Sequence, residues 1–162
     1  MNAIRIGHGY DLHRLEAGRP LVICGEKVPY EKGAVAHSDG DVVYHAVTDA
    51  VLGALGLEDI GQLFPDTDQK WKGQDSRIFV QQAVDLMHNK NYRIGNLDIT
   101  IILEKPKLSS YKIQMKRNLA ELLKCDFDRV NLKSKTHEKV DAVGQNRAIE
   151  CHAVLLLYPD KD

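Results

Sequence analysis

Ile94-Gly95-Asn96-Leu97-Asp98-Ile99-Thr100-Ile101-Ile102-Leu103-Glu104-Lys105-Pro106 holds the strongest alternating pattern in the chain. Leu97, Ile99, Ile101 and Leu103 fall on one side of an extended backbone, which predicts a strand from Ile94 to Glu104 with that side buried. Pro106 has no N–H to give to a ladder, so it ends the strand. Helical spacing precedes the strand over about residues 75–89 and follows it over about 109–124. Further out, residues 4–13 and 21–30 read as a strand pair turning at Gly18-Arg19-Pro20, with a tighter turn at Gly25-Glu26. Two more strands, about 130–138 and 148–158, are expected to close the sheet. Between the first strands and the first flanking helix, Val43, Ala46, Val47, Ala50, Val51 and Ala54 have helical spacing. That helix should start near Ser38 or Asp39 and end around Gly53 to Gly56. Strands in pairs, mixed with helices, predict a two-layer α+β domain with a mixed sheet packed against helices, not a regular parallel βαβ array.

The chain has 162 residues, a length that suits one domain over residues 1–162 and allows roughly 70% of the unfolded surface to be buried. With 22 Lys and Arg against 23 Asp and Glu, there is no bulk charge to favour nucleic acid or an anionic membrane. The longest apolar run, Ala153 to Tyr158, is too short to span a bilayer. No signal peptide is visible at residues 1–6. A cytoplasmic protein is expected, or a plastid-type one if a transit peptide has been removed. Cys24, Cys125 and Cys151 are widely spaced and odd in number, which points to a reducing compartment without a disulfide framework.

Several constellations could carry chemistry. On a strand, Asp11 and His13 point the same way, and His8 points away. On the next helix, Asp41, His45 and Asp49 are spaced to share a face; an acidic first turn complementing the helix dipole would also explain Asp41. Asp11, His13 and His45 together would offer two imidazoles and a carboxylate, a set that suits Zn²⁺ with one open position. The stretch of residues 57–75, with Asp59-Ile60-Gly61 and Phe64-Pro65-Asp66-Thr67-Asp68, is a long polar loop of the kind that is usually functional, although such segments also make plain Asx turns. Lys105-Pro106-Lys107-Leu108-Ser109 could hold a phosphate or nucleotide. In Lys133-Ser134-Lys135-Thr136-His137-Glu138-Lys139, strand parity would put Thr136 beside Glu138, a pairing that suits a phosphate next to Mg²⁺. G-x-S-x-G, G-x-x-x-x-G-K-[ST] and G-x-G-x-x-G are all absent from the sequence. An enzyme of this kind would use a metal and positioned phosphates in place of a protein nucleophile.

Arg5-Ile6-Gly7-His8-Gly9-Tyr10-Asp11-Leu12-His13, Ala36-His37-Ser38-Asp39-Gly40-Asp41 with His45, Asp59-Ile60-Gly61 and Phe64-Pro65-Asp66-Thr67-Asp68 together resemble the 2-C-methyl-D-erythritol 2,4-cyclodiphosphate synthase family over nearly the whole chain. The resemblance implies an α+β homotrimer with active sites between subunits, acting in the non-mevalonate isoprenoid pathway on a cytidine diphosphate substrate. It implies Asp11, His13 and His45 as zinc ligands, and Glu138 as the ligand of Mg²⁺ or Mn²⁺. His37 and Thr136 would be catalytic. Ser38 would contact a substrate phosphate. Asp59, Ile60, Gly61 and Phe64 to Asp68 would form the erythritol side of the site. Pro106, Lys107 and Leu108 would form the cytidine pocket, flanked by Leu103, Glu104, Lys105 and Ser109. Asp11, His13, Lys135, Thr136, His137, Glu138, Ala142 and Gln145 complete the expected substrate contacts. The chain departs from many bacterial members between Ser134 and Arg147: Lys135 and His137 stand where threonines are common, and Gln145 stands where an arginine would line the trimer axis. Two other readings stay open at this point, a metal phosphohydrolase using water and a non-enzymatic trimeric scaffold.

Overall fold

The computed structural model describes residues 3–65 and 67–160. In chain order the strands are β1 (Arg5–Ala17), β2 (Leu21–Ile23), β3 (Glu26–Val28), β4 (Lys32–Ala34), β5 (Tyr92–Ile102), β6 (Val130–Lys135) and β7 (Ala148–Pro159). The helices are α1 (Val42–Ala54), α2 (Ile60–Leu63), α3 (Arg77–Asn89), α4 (Lys112–Leu122) and α5 (Asp141–Gly144). The main sheet runs β4-β1-β7-β5-β6. All its pairs are antiparallel except β5 with β6, and α4 supplies the crossover that a parallel pair requires. The result is a mixed sheet with a helical layer, as the alternation of strands and helices implies.

The β5 pattern behaves as its sequence suggests. Leu97, Ile99 and Ile101 are buried and face the helices. β7 repeats it, with Ile149, Cys151, Ala153, Leu155 and Leu157 buried. In β1, however, the inward positions include Gly7 and Gly9. A Cβ on Gly7 would lie 1.8 Å from the Ala50 carbonyl oxygen, and one on Gly9 would lie 1.8 Å from that of Ala46. The two glycines therefore let α1 lie directly on β1 through its small face of Ala46, Ala50 and Ala54.

The sequence expectation is corrected in three places. Residues 4–13 do not pair with 21–30: β1 pairs with β7 and β4, and β2 and β3 make a small hairpin of their own. Its turn is Cys24-Gly25, both at positive φ, the conformation a two-residue hairpin turn requires. Helix α1 starts three residues later than Ser38–Asp39, because Asp41 is its cap: Oδ1 accepts from the amides of Val43 and Tyr44. Strand β6 stops at Lys135, so alternation does not order residues 136–139.

Candidate active site

Close packing of α1 on β1 brings His45 against Asp11 and His13. His45 Nδ1 lies 3.0 Å from Asp11 Oδ2 and 3.1 Å from His13 Nε2. His13 Nε2 lies 3.1 Å from Asp11 Oδ2. Two ring nitrogens and one carboxylate oxygen thus converge from β1 and α1, the set that the strand and helix spacings predict. Burial holds His13 below the usual histidine range, against the opposing pull of Asp11. That favours the neutral imidazole, the form in which histidine ligates a metal. His8, on the other side of β1, faces away and meets His152, with ring nitrogens 3.3 Å apart.

Asp41 and Asp49 do not join the cluster. The Asp41 carboxylate is fully buried and takes Gly25 N at 2.7 Å in addition to its helix amides, so it ties the hairpin tip to the start of α1. Burial pushes its carboxyl up to about 7, although the backbone donors oppose that rise. Asp49 Oδ1 accepts the amide of Ile60 and so pins α2 to α1.

A cavity of about 330 Å³ opens beside the cluster. His13 and His45 line it, together with His37 and Ser38. Ile60, Gly61 and Phe64 line it from the loop. His37 Nε2 is buried and has no hydrogen-bond partner among the described residues, which leaves it available to a ligand. Asp59 caps α2 through Gln62 N. Asp68 takes the amide of Lys70 and pairs with its ammonium. Pro65, Thr67 and Asp68 are not among the cavity residues, and Asp66 lies outside the described residues. The cavity also contains aromatic side chains absent from the sequence expectation. Trp71 and Phe79 pack against Phe64 with ring centroids 5.3 Å and 4.8 Å away. Ser76, which is fully buried, reaches His45 Nε2 at 2.9 Å. The signal for these residues was weak, because nothing in a single sequence tells that the start of α3 abuts the start of α1.

A second cavity of about 230 Å³ is formed by Leu103, Glu104, Pro106, Lys107, Leu108 and Ser109 together with Ser134, Lys135 and Thr136. The expected nucleotide segment and the end of β6 therefore meet, because β5 and β6 are parallel neighbours whose C-terminal ends coincide. Just beyond, Thr136 Oγ1 donates to Glu138 Oε1 at 3.1 Å across a turn in which Glu138 and Lys139 have positive φ. The two side chains are adjacent, as expected, through a turn and not through strand parity. His137 Nδ1 sits 2.8 Å from Asp141, which raises the histidine above its usual range. Ala142 packs on Ile102, Val143 and Ala148. Gln145 accepts two bonds from the Arg147 guanidinium. Neither Ala142 nor Gln145 lines either cavity.

A family model described as the YgbB family matches residues 4–158. The chain is 59% identical over 153 residues to the chloroplastic 2-C-methyl-D-erythritol 2,4-cyclodiphosphate synthase of Oryza sativa subsp. japonica, covering 94% of this chain and 69% of that protein. It is 53% identical over 157 residues to the 2-C-methyl-D-erythritol 2,4-cyclodiphosphate synthase of Proteus mirabilis, covering 97% of this chain and 98% of that one. Its fold matches that of IspF from Plasmodium falciparum in a CDP complex, with a TM-score of 0.88 at 40% identity over 99% of each chain. The chain spans about two thirds of the length of the plant relatives and nearly all of the bacterial ones.

Proposed function

The chain belongs to the YgbB family, that of the 2-C-methyl-D-erythritol 2,4-cyclodiphosphate synthases of the non-mevalonate isoprenoid pathway, and we propose how its own residues carry out that phosphorus–oxygen lyase reaction. The substrate is 4-diphosphocytidyl-2-C-methyl-D-erythritol 2-phosphate. An oxygen of its 2-phosphate forms a bond to the β-phosphorus, the bond from that phosphorus to the oxygen bridging to the α-phosphorus breaks, and CMP leaves with that oxygen. Nucleophile and electrophile belong to one molecule, so the protein's task is to fold the substrate and stabilise charge.

The observation that carries this reading is the convergence of Asp11, His13 and His45 beside the cavity that His13 and His45 line. A carboxylate oxygen and two imidazole nitrogens within 4.8 Å of one another would suit Zn²⁺ with one position left for substrate. Glu138, beside Thr136, suits Mg²⁺ or Mn²⁺, which takes one or two carboxylates together with phosphate oxygens. When bound, these metals supply Lewis acidity at the phosphates. His37 and Thr136 are then the residues that donate to phosphate oxygens as charge develops, and Ser38 orients the phosphate nearest the zinc ligands. Asp59, Ile60, Gly61 and Phe64 to Asp68 hold the erythritol end, with Trp71 and Phe79 backing Phe64. The smaller cavity of Leu103 to Ser109 takes cytidine, consistent with the CDP complex of the Plasmodium relative. Lys135 and His137 contribute positive charge beside it, while Ala142 packs on Ile102 and Gln145 holds the Arg147 guanidinium in the segment behind.

Within one chain, Asp11 is in register with Cys151 of β7, Cys151 with Ile101 of β5, and Ile101 with Ser134 of β6. Three strand spacings, roughly 14 Å, therefore separate the zinc ligands from the far wall of the cytidine cavity. One diphosphate must reach both, so we place the working site between neighbouring copies of a homotrimer. The outer sheet face supports this. Ile6 is 69% exposed, Tyr10 45%, Leu12 43% and Val154 40%, an apolar stripe that isolated surface residues do not explain. We read residues 1–162 as one synthase domain, in line with the match over 4–158. The three free thiols support a reducing compartment, with a cytoplasmic location preferred to a plastid one. Among the described residues no helix is long and apolar enough to cross a membrane, and the near-neutral charge gives no reason to invoke nucleic acid.

The test is ³¹P NMR of the purified protein with the proposed substrate, Zn²⁺ and Mg²⁺, beside a chelator control. Two coupled signals of a cyclic diphosphate, appearing with CMP and lost with chelator, are expected. Inorganic phosphate or a linear product would replace this reading with hydrolysis.

A further inference from the structure

Ser76 occupies the N-cap position of α3, yet its hydroxyl makes no cap bond. A serine at that position usually bonds the helix amides; here the hydroxyl points elsewhere. It donates to Asp39 Oδ1 and lies 2.9 Å from His45 Nε2. Asp39 is itself held by backbone: Oδ1 accepts from Asp41 N at 3.1 Å and Oδ2 from Ser76 N at 3.2 Å. A carboxylate accepts and a hydroxyl has one proton. Once that proton points at Asp39, Ser76 offers His45 a lone pair, an arrangement that favours the ring's hydrogen on Nε2. The Nδ1 lone pair is then left facing Asp11 Oδ2 at 3.0 Å and His13 Nε2 at 3.1 Å.

We propose that Asp39 and Ser76 form a relay that holds His45 in the tautomer and ring orientation needed for metal ligation through Nδ1. The proposal rests on the zinc reading given above and assigns positioning roles to two residues that touch neither metal nor substrate. Ser38 Oγ also lies 3.0 Å from His45 Nε2. It lines the cavity and so can turn to a ligand, whereas Ser76 is fully buried and serves His45 throughout. A partner behind a metal-bound imidazole fixes the ring and raises its basicity, and losing it typically costs 10–100-fold in metal affinity.

The experiment compares the wild-type protein with Ser76→Ala, Ser76→Thr and Asp39→Asn. Zinc dissociation constants are measured by competition with a chromophoric chelator, and the visible spectrum of each Co²⁺-loaded protein is recorded. Far-UV circular dichroism of the metal-free proteins establishes folding. Ser76→Ala and Asp39→Asn should each weaken zinc about 10–100-fold and alter the Co²⁺ bands, while Ser76→Thr, which keeps the hydroxyl, should recover most of the affinity. Should Ser76→Ala fail to fold, Asp39→Asn decides. Folded Ala and Asn variants that bind zinc within twofold of wild type, with unchanged Co²⁺ spectra, overturn the relay and leave the zinc site standing. A folded wild-type protein that takes up no zinc overturns the zinc reading itself.

Discussion

Asp41 and His45 stand four residues apart at the start of one helix, and their environments send them to different tasks. Asp41 is buried behind the hairpin tip, spends both oxygens on backbone amides and cannot reach a metal. His45 turns toward β1 and a cavity. The Asp41 carboxyl, raised by burial to about 7 in the folded chain, has an ordinary value of about 3.9 in the unfolded one. Between those values the folded chain keeps a proton that the unfolded chain has released. The contribution of this group to stability is therefore complete below about pH 4 and is lost as pH rises through 7. Urea unfolding of the metal-free protein at several pH values from 4 to 8, set against Asp41→Asn, should show the wild type losing stability relative to the variant across that window. Parallel curves would mean that Asp41 titrates normally. Strand parity put Asp11 beside His13 and helix periodicity put His45 on one face of α1, because both are local geometry; joining the two segments took the family resemblance. The link between Ser76 and Asp39 was not legible, since their meeting depends on how two helix starts abut.

Among the elements, the pairing of β1 with α1 organises the site. The visible apolar alternation of Ile4 and Ile6 faces outward, and the inward positions are Gly7 and Gly9. A hydrophobic pattern would put the isoleucines inside. The helix backbone approaches too closely for any side chain at Gly7 or Gly9, so the rule inverts there. Gly9→Ala should therefore lower stability by about 3 kcal/mol and loosen the metal cluster. Gly53→Ala, at an exposed helical position with no Cβ contact nearer than 4.0 Å, should stabilise by about 0.5–1 kcal/mol. Denaturant midpoints check both, and a stable Gly9→Ala protein would contradict the packing argument. The strand-pair expectation for residues 4–13 and 21–30 erred because adjacency in sequence was read as adjacency in the sheet. β1 is long enough to take β7 along most of its length, and that leaves residues 21–28 to fold on themselves.

Across the whole molecule, the outer sheet face carries the remaining apolar side chains of β1 and β7. Ile6→Asp puts a charge on the most exposed residue of that stripe without touching either cavity. If the proposed trimer holds, sedimentation should show the wild type as a trimer and the variant shifted to monomer, with turnover lost in parallel, as a site shared between two copies requires. A monomeric and fully active variant would return the site to a single chain. The sequence by itself determined the α+β class, the order of the main elements, the Asp11, His13 and His45 candidates, and the Ala36–Ser38, Ile60–Phe64 and Leu103–Ser109 parts of the two cavity linings. Each of those rests on local periodicity or on a contiguous motif. Tertiary structure alone decided the sheet order, the inward glycines, the turn that joins Thr136 to Glu138, the backbone amides that withdraw Asp41 and Asp49 from the Asp11–His13–His45 cluster, and the Asp39–Ser76 link behind His45. These depend on distances between residues far apart in the chain, which packing sets and which no local pattern encodes.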